Sequence, residues 1–475
     1  MPSTSSRPVR RPWEHVVRVP IAKPERLSIP RGHAPRPPAR APVMLAAGFA
    51  ATILVGSLLL TLPVANREGV VTPYVTALFT ATSAVCVTGL VVVDTKDYWS
   101  PLGQAIILLL IQVGGLGFMT SSTLLLLLTG RRFSLRERVW LREAHGVTSL
   151  GGVLRLTRRV LLVTAIIEGV SGVILFFRFA AEYRWDWALW MGVFHAVSAF
   201  NNAGFDIIGG FKSVTVYNRD PVVLLDIAFT IILGGISFTA IIDTVRTRSF
   251  RHLMLDTKMV LVTTAALLLV GTLGLLGIEY ANPSTLGGMD LATKLMNAYF
   301  SAVTPRTAGF NSIEVGKMTE AGLLLTIALM YIGAASGSTG GGIKVNTFAV
   351  LTAAVISSIR GRRVATAFGR ELPQDHVYRA LTVALLALGL VFGVTLVLAL
   401  VEPFGTLRLL FEVTSAFGTV GLSTGITPDL STAGKLLIVL TMYVGRVGPL
   451  TLALALAQKE QPARHSFPEG RLKIG

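Results

Sequence analysis

The chain has 475 residues, of which 52% are hydrophobic, and its mean hydropathy of +0.64 replaces the soluble, roughly three-domain protein its length would suggest with a membrane protein. A formal net charge of +17 would suit a nucleic-acid binder, but the basic residues lie between long apolar runs rather than on one soluble face. No nucleic acid is therefore expected as a partner, and the single cysteine, Cys86, excludes an intramolecular disulfide, a CxxC redox motif and a thiolate zinc site.

Residues 1–43 carry nine Lys/Arg against two acids and are rich in proline, which predicts a disordered basic tail. Apolar sequence starts only near Val43, beyond the reach of a signal peptide, so the first span is expected to be retained. Runs of about 20 apolar residues suffice to cross a bilayer. They occur near 43–62, 103–129, 160–178, 222–242, 259–278, 321–359, 380–401 and 433–457, which predicts eight transmembrane segments. The connection 131–159 holds Arg131, Arg132, Arg136, Arg138, Arg142, Arg155, Arg158 and Arg159, and 360–379 holds five more basic residues. Those connections are predicted to face the cytoplasm, with both termini on the same side.

Between the spans lie four shorter apolar stretches, near 74–85, 188–200, 292–303 and 405–416, and each leads into a related segment. These run Ser83 to Gly89-Leu90, Ser198 to Gly204-Phe205, Val303 to Gly309-Phe310 and Ser415 to Gly421-Leu422, with 115, 105 and 112 residues between successive glycines. A second set, Gly114, Gly234, Gly333 and Gly445, follows 25, 30, 24 and 24 residues later. The predicted fold is an all-α polytopic membrane protein: helix, re-entrant pore loop, helix, four times around one central pore.

Its expected divisions are a cytosolic tail 1–43, repeat one 44–130, a basic linker with repeat two 131–242, and a linker with repeat three 243–359. Repeat four with its linker is 360–458, and a cytosolic tail follows at 459–475.

Non-helical backbone at membrane depth is tolerated only when buried in protein or lining a water-filled cavity. Cation filters use rings of backbone carbonyls in place of a hydration shell, and glycine reaches the positive φ that aims them. The expected filter is Cys86, Val87, Thr88 and Gly89; Asn201, Asn202, Ala203 and Gly204; Arg306, Thr307, Ala308 and Gly309; and Gly418, Thr419, Val420 and Gly421. Side chains before each glycine differ widely, so backbone is the shared ligand, and the only metal expected is potassium at this filter. The second glycine set serves either the pathway or close helix contact.

The run 321–359 would make a helix of about 58 Å, nearly twice the roughly 30 Å hydrocarbon thickness. It is expected to break at Gly333, Ser336, Gly337, Ser338, Thr339, Gly340, Gly341, Gly342 and Lys344, a flexible loop beneath the filter that can gate it. It is no Walker A loop, since Ile343 separates Gly342 from Lys344, so nucleotide is not expected on this chain. Arg446, the one clear ionisable residue read at mid-span, is expected to grip carbonyls or hydroxyls of that loop. Lys344 is expected to snorkel, and Arg306 to point behind the filter toward an acid or carbonyls. Asp94, Asp206 and Glu314 either focus cations at the outer mouth or are ordinary loop acids. His195 and Cys86 are expected to be packing residues.

The fourfold repeat, the Thr307-Ala308-Gly309-Phe310 filter text and the run Gly337 to Lys344 resemble the Trk/Ktr/HKT superfamily of potassium transporters over residues 44–458. With no extra amino-terminal spans, the chain looks like the bacterial Ktr membrane (pore) subunit. The resemblance implies a multi-pass protein of the bacterial cytoplasmic membrane and a pore in each monomer of a homodimer. It also implies a cytosolic KtrA-like nucleotide-binding ring as partner, potassium as the transported ion, and sodium as a candidate activator. Gly89 in the first filter position goes, in that superfamily, with potassium rather than sodium. A sodium- or proton-coupled symporter is the alternative; a membrane enzyme lacks support, since no HExxH or nucleophile pair is present.

Overall fold

Residues 41–117 and 150–448 are described by a computed structural model, all within the Ala39–Gly475 unit. The tail 1–40, the basic residues 131–142 and the carboxy-terminal tail 459–475 lie outside the described residues. Four long outer helices, Ala41–Thr61, Leu150–Ala180, Leu255–Glu279 and Gln374–Val401, each precede a short helix. These short helices are Tyr74–Val85, Trp185–Phe200, Leu291–Val303 and Thr406–Gly418, and they coincide with the four predicted short apolar stretches. After each comes an irregular segment and then an inner helix: Pro101–Leu116, Pro221–Gly235, Glu320–Tyr331 and Thr432–Val447. The all-α expectation has one exception among the described residues, a hairpin pairing Thr366–Ala367 with Arg370–Glu371, whose turn has Phe368 and Gly369 at φ 49° and 76°.

Among the described residues three helices, Thr157–Ala180, Leu255–Glu279 and Gln374–Val401, are long and apolar enough to cross a membrane, or four if the bent pair Pro221–Gly235 and Phe238–Thr247 is one span. The predicted spans 103–129 and 433–457 run past the described residues, and 321–359 is interrupted between Tyr331 and Val345, as the glycine content predicts. Leu385, Phe392, Leu396 and Leu400 are exposed along one outer helix, where lipid rather than water is the matching surroundings.

Each inner helix begins at a side-chain cap, which satisfies amides that have no partner inside the helix. Ser100 accepts from Gly103 N at 3.1 Å, Asp220 from Val222 N at 2.9 Å, Thr319 from Gly322 N at 3.1 Å and Ser431 from Gly434 N at 3.1 Å. The end of the preceding outer helix braces three of these caps. Glu279 accepts from Thr319 N and Oγ1 at 2.9 and 2.6 Å, Glu402 from Ser431 N at 3.1 Å, and Arg178 pairs with Asp220.

The predicted continuous span 222–242 is instead bent by 98° between Gly235 and Phe238. Ile236 is extended, and Ser237 starts a new helix by accepting from Ala240 N at 3.2 Å. The carbonyls that an unbroken helix would use internally go elsewhere: Gly235 O accepts from Ala335 N at 3.0 Å and Gly234 O from Thr339 N at 3.2 Å. The bend thus belongs with the interruption of the third inner helix, 100 residues further along the chain.

Buried Glu279 holds four donors, including Thr285 and Asn282 at 2.7 Å each. Glu279→Ala should lower stability by about 2–4 kcal/mol, whereas Glu371→Ala on the surface should stay within about 0.5 kcal/mol, both read by thermal unfolding in detergent.

Candidate functional site

Each of the four short helices, the pore helices of the expected repeat, gives way to its loop through the same backbone conformation. The residue two before the glycine is left-handed in all four, with φ 55° at Val87, 57° at Asn202, 73° at Thr307 and 48° at Thr419. Gly89, Gly204, Gly309 and Gly421 then take φ 90°, 69°, 83° and 96°. Hydroxyls from the last turns of the pore helices hold these loops. Ser83 and Ser415 accept from Gly89 N and Gly421 N at 3.0 and 3.1 Å, and Ser198 donates to Phe205 O at 2.6 Å. In the third segment Val303 occupies the matching position, and Thr304, one residue later, donates to Phe310 O at 2.5 Å.

The four glycines close into a ring. A Cβ on Gly89 would lie 2.4 Å from Ala203 O; on Gly204, 2.6 Å from Ala308 O; on Gly309, 2.5 Å from Val420 O; and on Gly421, 2.2 Å from Thr88 O. Each approach passes from one segment to the next and the fourth returns to the first. No side chain fits at any of the four, on φ or on space. All four glycines line one cavity of about 280 Å³, together with Asp94 and Asp206.

Asp94 is engaged in the loops, accepting from Lys96 N and Asp97 N at 2.9 Å and from Phe211 N at 2.7 Å. Glu314 pairs with Lys317 at 2.6 Å on the surface. Asp206 faces the cavity beside Asp94 and accepts from Ile208 N at 3.1 Å. Of the three acids read as candidate focusing groups, Asp94 and Asp206 line this cavity and Glu314 does not.

On the other side of the ring lies the interrupted stretch 332–344. Its backbone is fastened by Gly333 N donating to Ile343 O at 2.8 Å and by Thr339 Oγ1 donating to Phe200 O at 3.1 Å and Gly234 O at 2.9 Å. A Cβ on Gly340 would meet Thr307 Oγ1 at 2.2 Å, and one on Gly341 would meet Thr419 Oγ1 at 2.1 Å. Ser336 N is held by Asn346 Oδ1 at 2.9 Å, Ser338 Oγ donates to Ala335 O at 2.7 Å, and Gly337 and Gly342 have φ 77° and 63°. The loop therefore abuts the second, third and fourth ring segments.

Arg446 donates to Thr339 O in this loop and to Gly114 O on the first inner helix, with Phe49 5.9 Å beneath the guanidinium. Lys344 departs from its expected snorkelling: its Nζ turns back to donate to Gly340 O, where an unpaired loop carbonyl would otherwise be buried. Arg306 points away from the ring to Thr264, with Nη2 3.2 Å from Oγ1, so it meets a hydroxyl and a carbonyl and no acid.

Gly114, Gly234 and Gly445 resolve toward close helix contact. A Cβ on them would lie 2.0, 1.8 and 2.0 Å from the carbonyls of Val85, Phe200 and Phe417, the ends of the adjoining pore helices. Gly333 faces Gly341 O instead, at 2.3 Å, because its own helix stops there. His195 is buried with Nδ1 2.8 Å from Met191 O, and Cys86 is buried.

Besides Glu279 and Glu402, sequence reasoning missed two acids close to the ring, buried Glu412 and half-buried Glu168. Glu412 on the fourth pore helix accepts from Ser423 Oγ, Thr424 N and Thr427 Oγ1 at 2.7, 2.8 and 2.8 Å, and so shapes the loop after Gly421. Glu168, in the outer helix of the second unit, accepts from Gln112 and Asn201. Arg446 is thus not the only ionisable group within an apolar run: Glu168 is the single acid in the run 160–178, a signal visible in the sequence.

A cation transport protein family profile (TrkH) matches residues 47–467. The Ktr system potassium uptake protein B of Bacillus subtilis is 42% identical over 434 residues, covering 91% of this chain and 96% of that protein. The potassium/sodium uptake protein NtpJ of Enterococcus hirae is 40% identical over 438 residues, covering 91% and 96%. The crystal structure of the potassium transporter TrkH from Vibrio parahaemolyticus superposes with a TM-score of 0.66 at 18% identity, over 90% of this chain and 86% of that one. The chain belongs to the TrkH cation transport protein family.

The inner-helix contacts give a direct test. Gly445→Ala, which drives a Cβ into Phe417 O, should destabilise the protein by roughly 1–3 kcal/mol. Gly389→Ala, with nothing within 4 Å, should be neutral by the same thermal unfolding measurement.

Proposed function

We propose, with family membership as the premise, that this chain takes up potassium across the cytoplasmic membrane through a channel-like pathway. The closed ring of four glycine segments carries the reading. Its carbonyls replace the ion's hydration shell, the loop 333–342 blocks the inner side, and Arg446 latches that loop to the first inner helix. In this reading the chain has four units and eight spans with both termini cytoplasmic, and the ring lies at membrane depth, where such backbone is tolerated only inside protein. Potassium is the cargo, favoured by the names of the relatives from Bacillus subtilis and Enterococcus hirae. By analogy with the two-part naming of the Ktr system, a cytosolic nucleotide-binding ring controls the loop, and the chain works as a homodimer.

Latching by two charge-assisted hydrogen bonds makes the closed loop the resting arrangement. Opening requires their loss together with the Thr339 contacts to Phe200 and Gly234, and a partner that binds the open form better supplies that energy. A sodium- or proton-coupled symporter is a second reading, favoured by one observation, the intramembrane carboxyl of Glu168.

Cation flux into proteoliposomes holding the purified chain tests the proposal. Potassium flux should exceed sodium flux, Gly204→Ser should lower that ratio, and Arg446→Ala should raise passive flux about tenfold or more, the equivalent of one lost latch. Absence of passive flux in every variant, with uptake only under an imposed sodium or proton gradient, would favour the symporter.

A further inference from the structure

Behind the second ring segment three polar side chains from three elements meet, Asn201 buried and Gln112 and Glu168 half-buried. Glu168 comes from the outer helix Leu150–Ala180, Gln112 from the inner helix Pro101–Leu116, and Asn201 from the end of the pore helix Trp185–Phe200. Gln112 Nε2 donates to Glu168 Oε2 at 3.2 Å. Asn201 Nδ2 is shared among Gln112 Oε1 at 2.7 Å, Glu168 Oε1 at 3.0 Å and Val197 O at 2.9 Å. Among the described residues no lysine or arginine forms an ion pair with Glu168. A carboxylate without a countercharge is expensive in this setting, and a leucine would fill the space without that expense.

What a carboxylate supplies, and no other side chain does, is two acceptors at once. Both oxygens accept, one from each amide, so the triangle closes with every donor facing an acceptor. The triangle fixes Asn201, which lies three residues before Gly204 and beside Asn202, whose amide is 3.2 Å from Thr307 Oγ1 in the next segment. Gly115 completes the seat, since a Cβ there would come within 2.0 Å of Asn201 Oδ1. Gln112 also stands two residues from Gly114, whose carbonyl Arg446 holds. The side-chain triangle therefore sets where the Ala203 carbonyl stands in the ring.

We infer that Glu168 is a positioning residue for the second ring segment and sets discrimination between potassium and sodium. This rests on the ring being the selectivity filter, where ligand positions matter at about 0.5 Å.

Exchange of the two side chains tests it. Glu168→Gln leaves a donor facing a donor, and Gln112→Glu sets two carboxylates together. The double variant Gln112→Glu/Glu168→Gln restores every donor to an acceptor, with the carboxylate on the other helix. Potassium and sodium fluxes are measured in proteoliposomes for all three variants, with Gly204→Ser alongside. The potassium-to-sodium ratio should fall about tenfold in Glu168→Gln, the loss of one buried hydrogen bond, and return to the wild-type value in the double variant. An unchanged ratio in Glu168→Gln, or a double variant that folds without recovering it, overturns the inference. Should Glu168→Gln fail to fold, the ratio in the double variant decides alone. A lowered ratio in Gly204→Ser beside an unchanged one in Glu168→Gln confines the failure to this inference, whereas unchanged ratios in both refute the filter reading itself.

Discussion

Four backbone carbonyls approach four glycines so closely that a Cβ has no room on any of them, and this contact organises the rest of the protein. Each of Thr88, Ala203, Ala308 and Val420 presents its carbonyl to the glycine of the neighbouring segment, and the series closes on itself. Bringing four unpaired backbones together in an apolar surrounding is unfavourable unless each is held from behind. The pore helices hold them through Ser83, Ser198, Thr304 and Ser415, and the inner helices press onto the pore-helix ends through glycines at 114, 234 and 445. Further out, Glu279 and Glu402 fix the starts of two inner helices by hydrogen bonds, and Arg178 does so through an ion pair. The outer helices supply the lipid-facing shell.

The third unit breaks this pattern, and the break has a function under the proposed reading. Its inner helix stops at Tyr331, and the glycine that would press on a pore helix turns to its own loop instead. The loop takes over carbonyls of Gly234 and Gly235, which explains why the second inner helix bends by 98° at that place. Two interruptions on different units are thus one structural event. Arg446 joins the loop to the first inner helix and Lys344 closes it on itself, so every unit is tied to this one segment, the first through Arg446.

Much of this was legible because its physics is local. Positive φ combined with a neighbouring carbonyl where a Cβ would stand demands glycine, so the ring residues repeat at regular spacing even where their neighbours share nothing. A run of five glycines between Gly333 and Gly342 cannot be an unbroken helix. What escaped the sequence depends on partners far along the chain. Ile236-Ser237 is no helix breaker by itself, and the bend there needs the amides of Ala335 and Thr339. The direction of Lys344 depends on Gly340 O lying within reach. The role of the second glycine set required interatomic distances, and the shift of the bracing hydroxyl to Thr304 required the loop. Glu168 was readable as a lone acid in an apolar run; its partners Gln112 and Asn201 were not.

The account stands or falls on whether the ring holds the permeant ion. Anomalous diffraction from crystals of the protein grown with rubidium in place of potassium addresses this directly. The account predicts a peak enclosed by the carbonyl oxygens of Thr88, Ala203, Ala308 and Val420. An ordered ion found only elsewhere, or none at the ring in protein that carries rubidium across proteoliposome membranes, would contradict it.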